Sequence, residues 1–129
     1  MTLSYRHALT SIKTGGLALL ALACLIPQLA RADYINGYQL QNYCLSQNPN
    51  DDAICVVYIT GAVDAITTMD LIAEKTSGTP KQICLGDETS PDDLKAMTLS
   101  WLEEKQDNLD FAATLLILGA VQNSYSCPQ

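Results

Sequence analysis

Residues 56–66 read VVYITGAVDAI, a nearly unbroken apolar run with one glycine, Gly61, and one carboxylate, Asp64. At 100° per residue, the run and its flanks form two neighbouring apolar stripes of a helix. The first stripe is Ile54, Tyr58, Gly61, Ala65, Met69 and Ile72, and the second is Cys55, Ile59, Ala62, Val63 and Ile66. A helix this apolar lies at the centre of a bundle or in a dimer interface. We therefore expect a long helix, capped by Asp51 or Asp52 and running to about Thr76, and a homodimer is one expectation.

The glycine and the carboxylate each predict a packing role in this helix. Gly61 lies within the first stripe, where its missing side chain would let another helix approach closely. Asp64 lies at the edge of that stripe between Thr60 and Thr67, each within one turn. We expect Asp64 to be partly buried and hydrogen-bonded to those hydroxyls or to the start of another helix. Asp64→Ala would then lower stability by ~1–3 kcal/mol.

The segments on either side of this helix also have helical periodicity. A short helix is predicted from about Gly37 to Ser46, and a third helix begins at Ser90, an N-cap followed by Pro91 at the first helical position. A fourth is predicted over 109–125, whose apolar core FAATLLILGAV is shorter than the ~20 residues needed to cross a bilayer. Four helices without a strand signal predict a small all-α bundle, with a loop over 77–90.

The N-terminal segment has the three parts of a secretory signal. Two basic residues precede the apolar run GGLALLALACLI, and the sequence ARA ends at Ala32. Cleavage after Ala32 would deliver residues 33–129 to the periplasm as a single helical domain. An alternative makes Cys24 the acylated cysteine of a lipoprotein, but Ala21 stands where such signals favour leucine.

Composition excludes several classes of function for residues 33–129. The sole histidine, His7, and both arginines precede Asp33, so Ser-His and Cys-His catalysis and histidine zinc sites are not expected. Four lysines against fourteen carboxylates give a formal net charge of −10. This charge repels nucleic acid and anionic lipid, and it favours either capture of a basic partner or simple solubility.

No pair of carboxylates forms a convergent acid/base site in the predicted helices. Asp64 and Asp70 point about 120° apart and lie more than one turn apart, and Glu103 and Glu104 point about 100° apart. The segment NPNDDAI also lacks the ligand spacing of a calcium loop. The sequence therefore predicts a protein that is not an enzyme, with no catalytic residue, no metal site and no cofactor.

Four cysteines remain after the signal, an even number that predicts two disulfides in an exported protein. Three connectivities are open to them, and the spacing alone does not choose. We prefer Cys44–Cys55, which flank one short turn, with Cys84–Cys127, which would tie the C-terminus to the long loop. A thiolate nucleophile or zinc site is disfavoured because no C-x-x-C spacing is present.

The pattern Cys-x-x-Tyr-x-x-Gly-x-x-Asp-Ala is matched by Cys55, Tyr58, Gly61, Asp64 and Ala65. Together with the exported start, the four cysteines and the AATLLILGAV helix, it resembles the Rap/Tai family of type VI secretion immunity proteins. The similarity covers most of the chain from about Leu40 to Cys127.

This resemblance implies a periplasmic helical protein of a Gram-negative bacterium that binds and blocks a toxin delivered by a neighbouring cell. The toxin is typically a peptidoglycan amidase with a Cys-His active site. The candidate contacts are Asp87, Glu88, Asp92 and Asp93, at the loop and the following helix start. The alternative for these residues is ordinary capping and solvation.

A second hypothesis is a periplasmic acid-stress chaperone, because such proteins are also small, helical, disulfide-bonded and rich in carboxylates. The two predicted disulfides and the small number of lysines favour the chaperone hypothesis less than the immunity-protein hypothesis. A chaperone of this kind unfolds or dissociates when its carboxylates are protonated, so a compact fold at about pH 2.5 would exclude it.

Overall fold

The computed structural model describes residues 34–128, which form four α-helices and a 3₁₀ turn. The helices are α1 (Gly37–Leu45), α2 (Pro49–Ser77), α3 (Pro91–Glu104) and α4 (Ala113–Ser124), and the 3₁₀ turn is Gln106–Asn108. Within residues 34–128 there is no β-strand. The prediction of a small all-α bundle is confirmed, whereas the secretory signal predicted for residues 1–32 lies outside the described residues.

All four helices contribute to one apolar core. Leu40 of α1, Ile59 of α2, Leu102 of α3 and Ile117 of α4 are all fully buried. Burial of a side chain of this size stabilises a fold by roughly 1.5–3 kcal/mol relative to leaving it exposed. The core therefore depends on one side of each helix, and the opposite sides remain for solvent or partners.

The start of α2 differs from the prediction. Asn48 is the N-cap, and its side chain accepts a hydrogen bond of 3.0 Å from the main-chain N–H of Asn50. Pro49 occupies the first helical position, where a main-chain N–H has no acceptor within the helix, so proline costs no hydrogen bond there. The expected cap at Asp51 or Asp52 is therefore wrong, and these residues lie in the first turn, near the positive end of the helix dipole.

The two apolar stripes of α2 have different environments. The second stripe faces the core, where Cys55, Ile59 and Val63 are the buried residues of the helix. The first stripe is largely exposed, and a Cβ built on Gly61 would have no atom within 4 Å. The expectation that Gly61 admits another helix of the same bundle is therefore wrong, because the three other helices pack on the far side of α2.

By length and composition, α2 could also cross a membrane, with 29 residues and a mean hydropathy of 1.5 over its most apolar window. The core helices of soluble proteins meet the same criterion of length and composition. The pairing of Asp52 with Lys95 of α3 ties the start of α2 to the bundle.

The fourth helix begins at Ala113, four residues later than the predicted start at Leu109. Fully buried Leu109 instead turns its carbonyl toward α1, where it accepts a hydrogen bond of 3.1 Å from the N–H of Tyr38. The carbonyl of Phe111 accepts another of 3.1 Å from Gly37. These bonds to α1 compete with an earlier helical turn and delay the start of α4.

Both disulfides are present, in the pairing preferred from the sequence. Cys44–Cys55 joins α1 to the first turns of α2, and both cysteines are buried. Cys84–Cys127 joins the loop between α2 and α3 to the C-terminal segment, where Cys84 is exposed. Each pair therefore cross-links segments that no single helix connects.

Candidate partner-binding site

The four predicted contact residues lie along one continuous surface segment. Asp87 and Glu88 form the turn that precedes α3, closed by a hydrogen bond of 3.0 Å from the N–H of Thr89 to the carbonyl of Gly86. Asp92 and Asp93 lie in the first turn of α3, and all four side chains are exposed. We call the segment Gly86–Asp93 the acidic loop.

One of the four carboxylates is used by the helix itself. The side chain of Asp93 accepts hydrogen bonds from the hydroxyl of Ser90 at 2.6 Å and from its N–H at 2.9 Å. The hydroxyl of Ser90 accepts a bond of 3.2 Å from the N–H of Asp93, which completes a capping box. The bonds from Ser90 hold the pKa of Asp93 below its ordinary value. Asp93 is thus a capping residue as well as an exposed charge.

The residues before the acidic loop are fixed to the C-terminal segment. The N–H of Cys84 donates to the carbonyl of Tyr125 at 2.8 Å, and the N–H of Cys127 donates to the carbonyl of Gln82 at 2.9 Å. Ile83 lies between them and is buried. Two main-chain bonds and one disulfide therefore hold this strand-like contact, and the acidic loop begins two residues after it.

Asp70 anchors the same segment from α2, a role that the sequence analysis missed. One carboxylate oxygen, Oδ2, accepts hydrogen bonds of 3.0 Å from the N–H groups of both Gln82 and Ile83. Hydrogen bonds to a charged acceptor are about twice as strong as neutral ones. The carboxylate thereby links the last third of α2 to the loop. No local sequence signal distinguishes Asp70 from the other carboxylates of α2.

Two clefts border the elements that carry the acidic loop. One, of about 260 Å³, lies between α3 and α4 and is lined in part by Trp101, Glu104 and Tyr125. The Nζ of Lys105 lies 4.6 Å from the centroid of the Trp101 ring. The other, of about 550 Å³, lies beside Cys127 and is lined by residues of the loop, of α4 and of the C-terminal segment. Neither brings together groups arranged for acid/base or nucleophilic chemistry.

Metal-ligating side chains do not cluster in the described part of the chain. Among residues 34–128, no group of three or more histidine, cysteine, aspartate or glutamate side chains could hold a metal ion. The carboxylate of Asp70 is occupied by main-chain N–H groups, and Asp64 is exposed on a different side of α2.

A comparison with protein-family models decides the family. The model for Rap1a immunity proteins matches residues 36–127, which include all four helices, both disulfides and the acidic loop. The chain belongs to the Rap1a immunity protein family. No curated protein and no solved structure matches it. The resemblance drawn from the sequence is confirmed, and membership implies binding of a toxic effector, a task that immunity proteins typically perform as inhibitors without catalysis.

Asp64, one of the residues that suggested the family, does not have the role expected of it. Asp64 is exposed, and the hydroxyls of Thr60 and Thr67 donate to carbonyls of their own helix, to Val56 at 2.8 Å and to Val63 at 2.9 Å. The expected burial of Asp64 is wrong because its direction on α2 points away from the core.

Gly61 and Ala65 are exposed beside Asp64, whereas Tyr58 is partly buried. Burial raises the pKa of the Tyr58 phenol above its ordinary value. Three residues of the family motif, Gly61, Asp64 and Ala65, therefore lie on an outward face of α2, whereas Cys55 and Tyr58 contact the core.

Proposed function

We propose that this protein is a periplasmic immunity protein that neutralises a type VI secreted effector, specifically a peptidoglycan amidase, by occluding its active-site cleft with the acidic loop. The observation that carries the proposal is the acidic loop itself: a helix start and a turn that present four carboxylates on a segment fixed by Cys84–Cys127 and Asp70. A loop held in this way loses little conformational freedom on binding, which favours affinity.

Charge supports the same proposal. Between Gly86 and Asp93 there is no basic residue, and Lys95, the nearest in sequence, is paired with Asp52. An acidic surface of this kind attracts a basic cleft and can raise association rates by ~10–10³-fold at low salt. A helical, disulfide-bonded fold suits an oxidising compartment such as the periplasm. Export by a signal cleaved after Ala32, and a homodimer, belong to the same proposal.

The test is inhibition of an amidase effector encoded beside this chain's gene. The protein purified from the periplasm should bind the amidase and stop its hydrolysis of peptidoglycan, and co-expression should prevent lysis. Failure to inhibit this amidase or to protect the cells would contradict the proposal.

A matched pair of variants assigns the surface. Asp87→Asn, Glu88→Gln and Asp92→Asn together remove three charges from the acidic loop, and we expect the association rate to fall about tenfold or more at low salt. The control removes three exposed charges elsewhere: Glu103→Gln, Asp107→Asn and Asp110→Asn. An equal loss in both variants would show that net charge matters and the loop does not.

A further inference from the structure

The two disulfides differ in their access to solvent. Cys44 is 5% exposed and Cys55 is fully buried, and both belong to the apolar core. Cys84 is exposed, and Cys127 is only partly buried. A disulfide opens when a thiolate attacks one of its sulfur atoms, so the rate of opening depends on access to that sulfur. Of these two bonds, Cys84–Cys127 is the one that a thiolate can reach in the folded protein.

The cleft beside Cys127, of about 550 Å³, gives a route to this bond. Cys127 lines the cleft together with Gln82 and Ser126, whereas Cys84 does not line it. Sites that bind small molecules have volumes of roughly 300–1,000 Å³, so this cleft can admit a small thiol. A thiolate that enters the cleft therefore meets the Cys127 side of the disulfide.

Charges on the two sides of the bond favour the same direction of attack. Among the described residues that line the cleft, Lys81 alone is charged, and its ammonium group attracts an incoming thiolate. On the other side, Asp87 and Glu88 follow Cys84 by three and four residues and repel a thiolate. Both effects make Cys127 the favoured point of attack.

We propose that Cys84–Cys127 is a thiol-reactive site that exchanges with dithiols, with Cys127 as the attacked residue. One thiolate of the dithiol forms a bond to the Sγ atom of Cys127, the Cys84–Cys127 bond breaks, and the Sγ atom of Cys84 leaves with the electron pair. Cys84 is exposed, so its thiolate is solvated and takes a proton from water. The second thiolate of the dithiol then attacks the mixed disulfide and releases Cys127, which also takes a proton. The chain gains two electrons and two protons, and the dithiol is oxidised to a disulfide.

Opening of this bond does not require the bundle to unfold. The carboxylate of Asp70 still accepts the hydrogen bonds from the N–H groups of Gln82 and Ile83. The main-chain bond from the N–H of Cys84 to the carbonyl of Tyr125 does not depend on the sulfur atoms. The reduced form is therefore a folded bundle in which no covalent link holds the segment before the acidic loop to the C-terminal segment.

The exchange itself requires no effector, whereas its consequence for inhibition rests on the proposed function. The acidic loop begins at Gly86, two residues after Cys84. Reduction gives the loop more conformational freedom, which it must lose on binding, so the reduced form binds an effector less tightly. The state of this one disulfide thereby controls the strength of inhibition.

The first experiment compares the two disulfides without denaturant. The protein purified from the periplasm is treated with dithiothreitol, samples are quenched with acid and alkylated, and peptide mapping gives the rate at which each bond opens. Cys84–Cys127 should open at least about a hundredfold faster than Cys44–Cys55, because a buried bond reacts only in the ~10⁻³–10⁻⁶ of molecules that are unfolded. Circular dichroism of the same samples should show an unchanged helix content. Equal rates, no opening of Cys84–Cys127, or a loss of helix as it opens would overturn the inference.

A matched pair of variants tests the route of attack. Lys81→Gln removes the cation that lines the cleft, and the control Lys75→Gln removes an exposed lysine of α2 that does not line it. At low salt, the rate constant for opening of Cys84–Cys127 should fall about threefold or more in the first variant and stay nearly unchanged in the second. An equal change in both variants would show that net charge determines the rate, and it would exclude approach through the cleft.

The attacked sulfur is identified with excess reduced glutathione, a monothiol that remains on the sulfur it attacks. After acid quenching, free thiols are labelled with N-ethylmaleimide. Glutathione should be found on Cys127 and the label on Cys84. Glutathione on Cys84 would contradict the proposed direction of attack.

The last experiment measures inhibition of the amidase by the oxidised and the reduced protein, after dithiothreitol has been removed by gel filtration. The dissociation constant of the reduced form should be higher by about threefold or more, and reoxidation should restore the original value. Equal inhibition by both forms would refute control by the disulfide. Failure of the oxidised protein to inhibit would contradict the proposed function and leave the measured exchange standing.

Discussion

At the scale of single residues, two aspartates of α2 lie six positions apart and have different environments. Asp70 accepts main-chain hydrogen bonds from two residues of the loop, whereas Asp64 is exposed beside threonines whose hydroxyls donate to main-chain carbonyls. We expect Asp70→Asn to lower the free energy of unfolding by about 1.5–3 kcal/mol, the usual range for hydrogen bonds to a charged group. Asp64→Asn should change it by less than ~0.5 kcal/mol, as for surface residues in general.

Urea denaturation of the two variants checks this pair. A large loss of stability for Asp64→Asn would support the buried role that its sequence position first suggested. An unchanged stability for Asp70→Asn would show that its hydrogen bonds to the loop do not stabilise the fold.

Thr98 gives a second residue-scale prediction. Its side chain is fully buried in α3, and its hydroxyl has no hydrogen-bond partner within residues 34–128. An unsatisfied buried hydroxyl destabilises the folded state, and valine has nearly the same shape. Thr98→Val should therefore raise the free energy of unfolding by about 1 kcal/mol. Thr114→Val, at an exposed position of α4, serves as the control in the same urea titration.

Single residues were predicted less well than the helix that carries them. Periodicity fixed the angle between Gly61 and Ile59 around α2, but it could not tell which of two apolar stripes would face the bundle. That choice depends on where α1, α3 and α4 pack. The role of Asp70 depends on Gln82 and Ile83, twelve and thirteen residues away, and no local pattern contains that information.

At the scale of elements, the start of α3 was predictable because its signals are local. Ser90 is the cap and Pro91 the first helical residue, as the spacing indicated, and Asp93 adds a capping box. The start of α4 was not, because the hydrogen bonds that delay it come from Gly37 and Tyr38 in α1. A helix end that is determined by side chains close to it in sequence can be predicted from the sequence. A helix end that is determined by hydrogen bonds to the main chain of a distant segment cannot.

The capping box of α3 gives a prediction about pH. Hydrogen bonds from Ser90 hold the pKa of Asp93 below its ordinary value of about 4. A lowered pKa in the folded state stabilises the fold above the unfolded pKa, and this stability is lost as pH falls through the folded value. Asp93→Asn should therefore be less stable than wild type at pH 6, and the difference should shrink below about pH 4.

Urea denaturation of both proteins from pH 6 to pH 2.5 measures that difference. Ser90→Ala, which removes the other half of the capping box, should lower stability by about 1 kcal/mol at pH 6. A gap between wild type and Asp93→Asn that stays constant over the whole range would show that the carboxylate does not titrate through the cap.

At the scale of the whole molecule, the two disulfides stabilise different parts of a small bundle. Cys44–Cys55 closes a separation of 11 residues inside the core, and Cys84–Cys127 closes one of 43 residues at the surface. The first braces α1 against α2. The second holds the segment from which the acidic loop emerges, so it bears on the proposed function as well as on stability.

Removal of each disulfide should have a distinct effect. In the loop-entropy account, Cys84→Ser with Cys127→Ser lowers the free energy of unfolding by about 4 kcal/mol, and Cys44→Ser with Cys55→Ser lowers it by about 3 kcal/mol. In the second variant, the burial of two hydroxyls adds to the loss. Asp70 still holds Gln82 and Ile83 in the first variant, so the bundle should persist while the acidic loop becomes sensitive to protease. Limited proteolysis with mass spectrometry locates the cleavage. Cleavage in α1 or α2 before the loop would mean that Cys84–Cys127 stabilises the whole bundle and does not selectively hold the acidic loop in place.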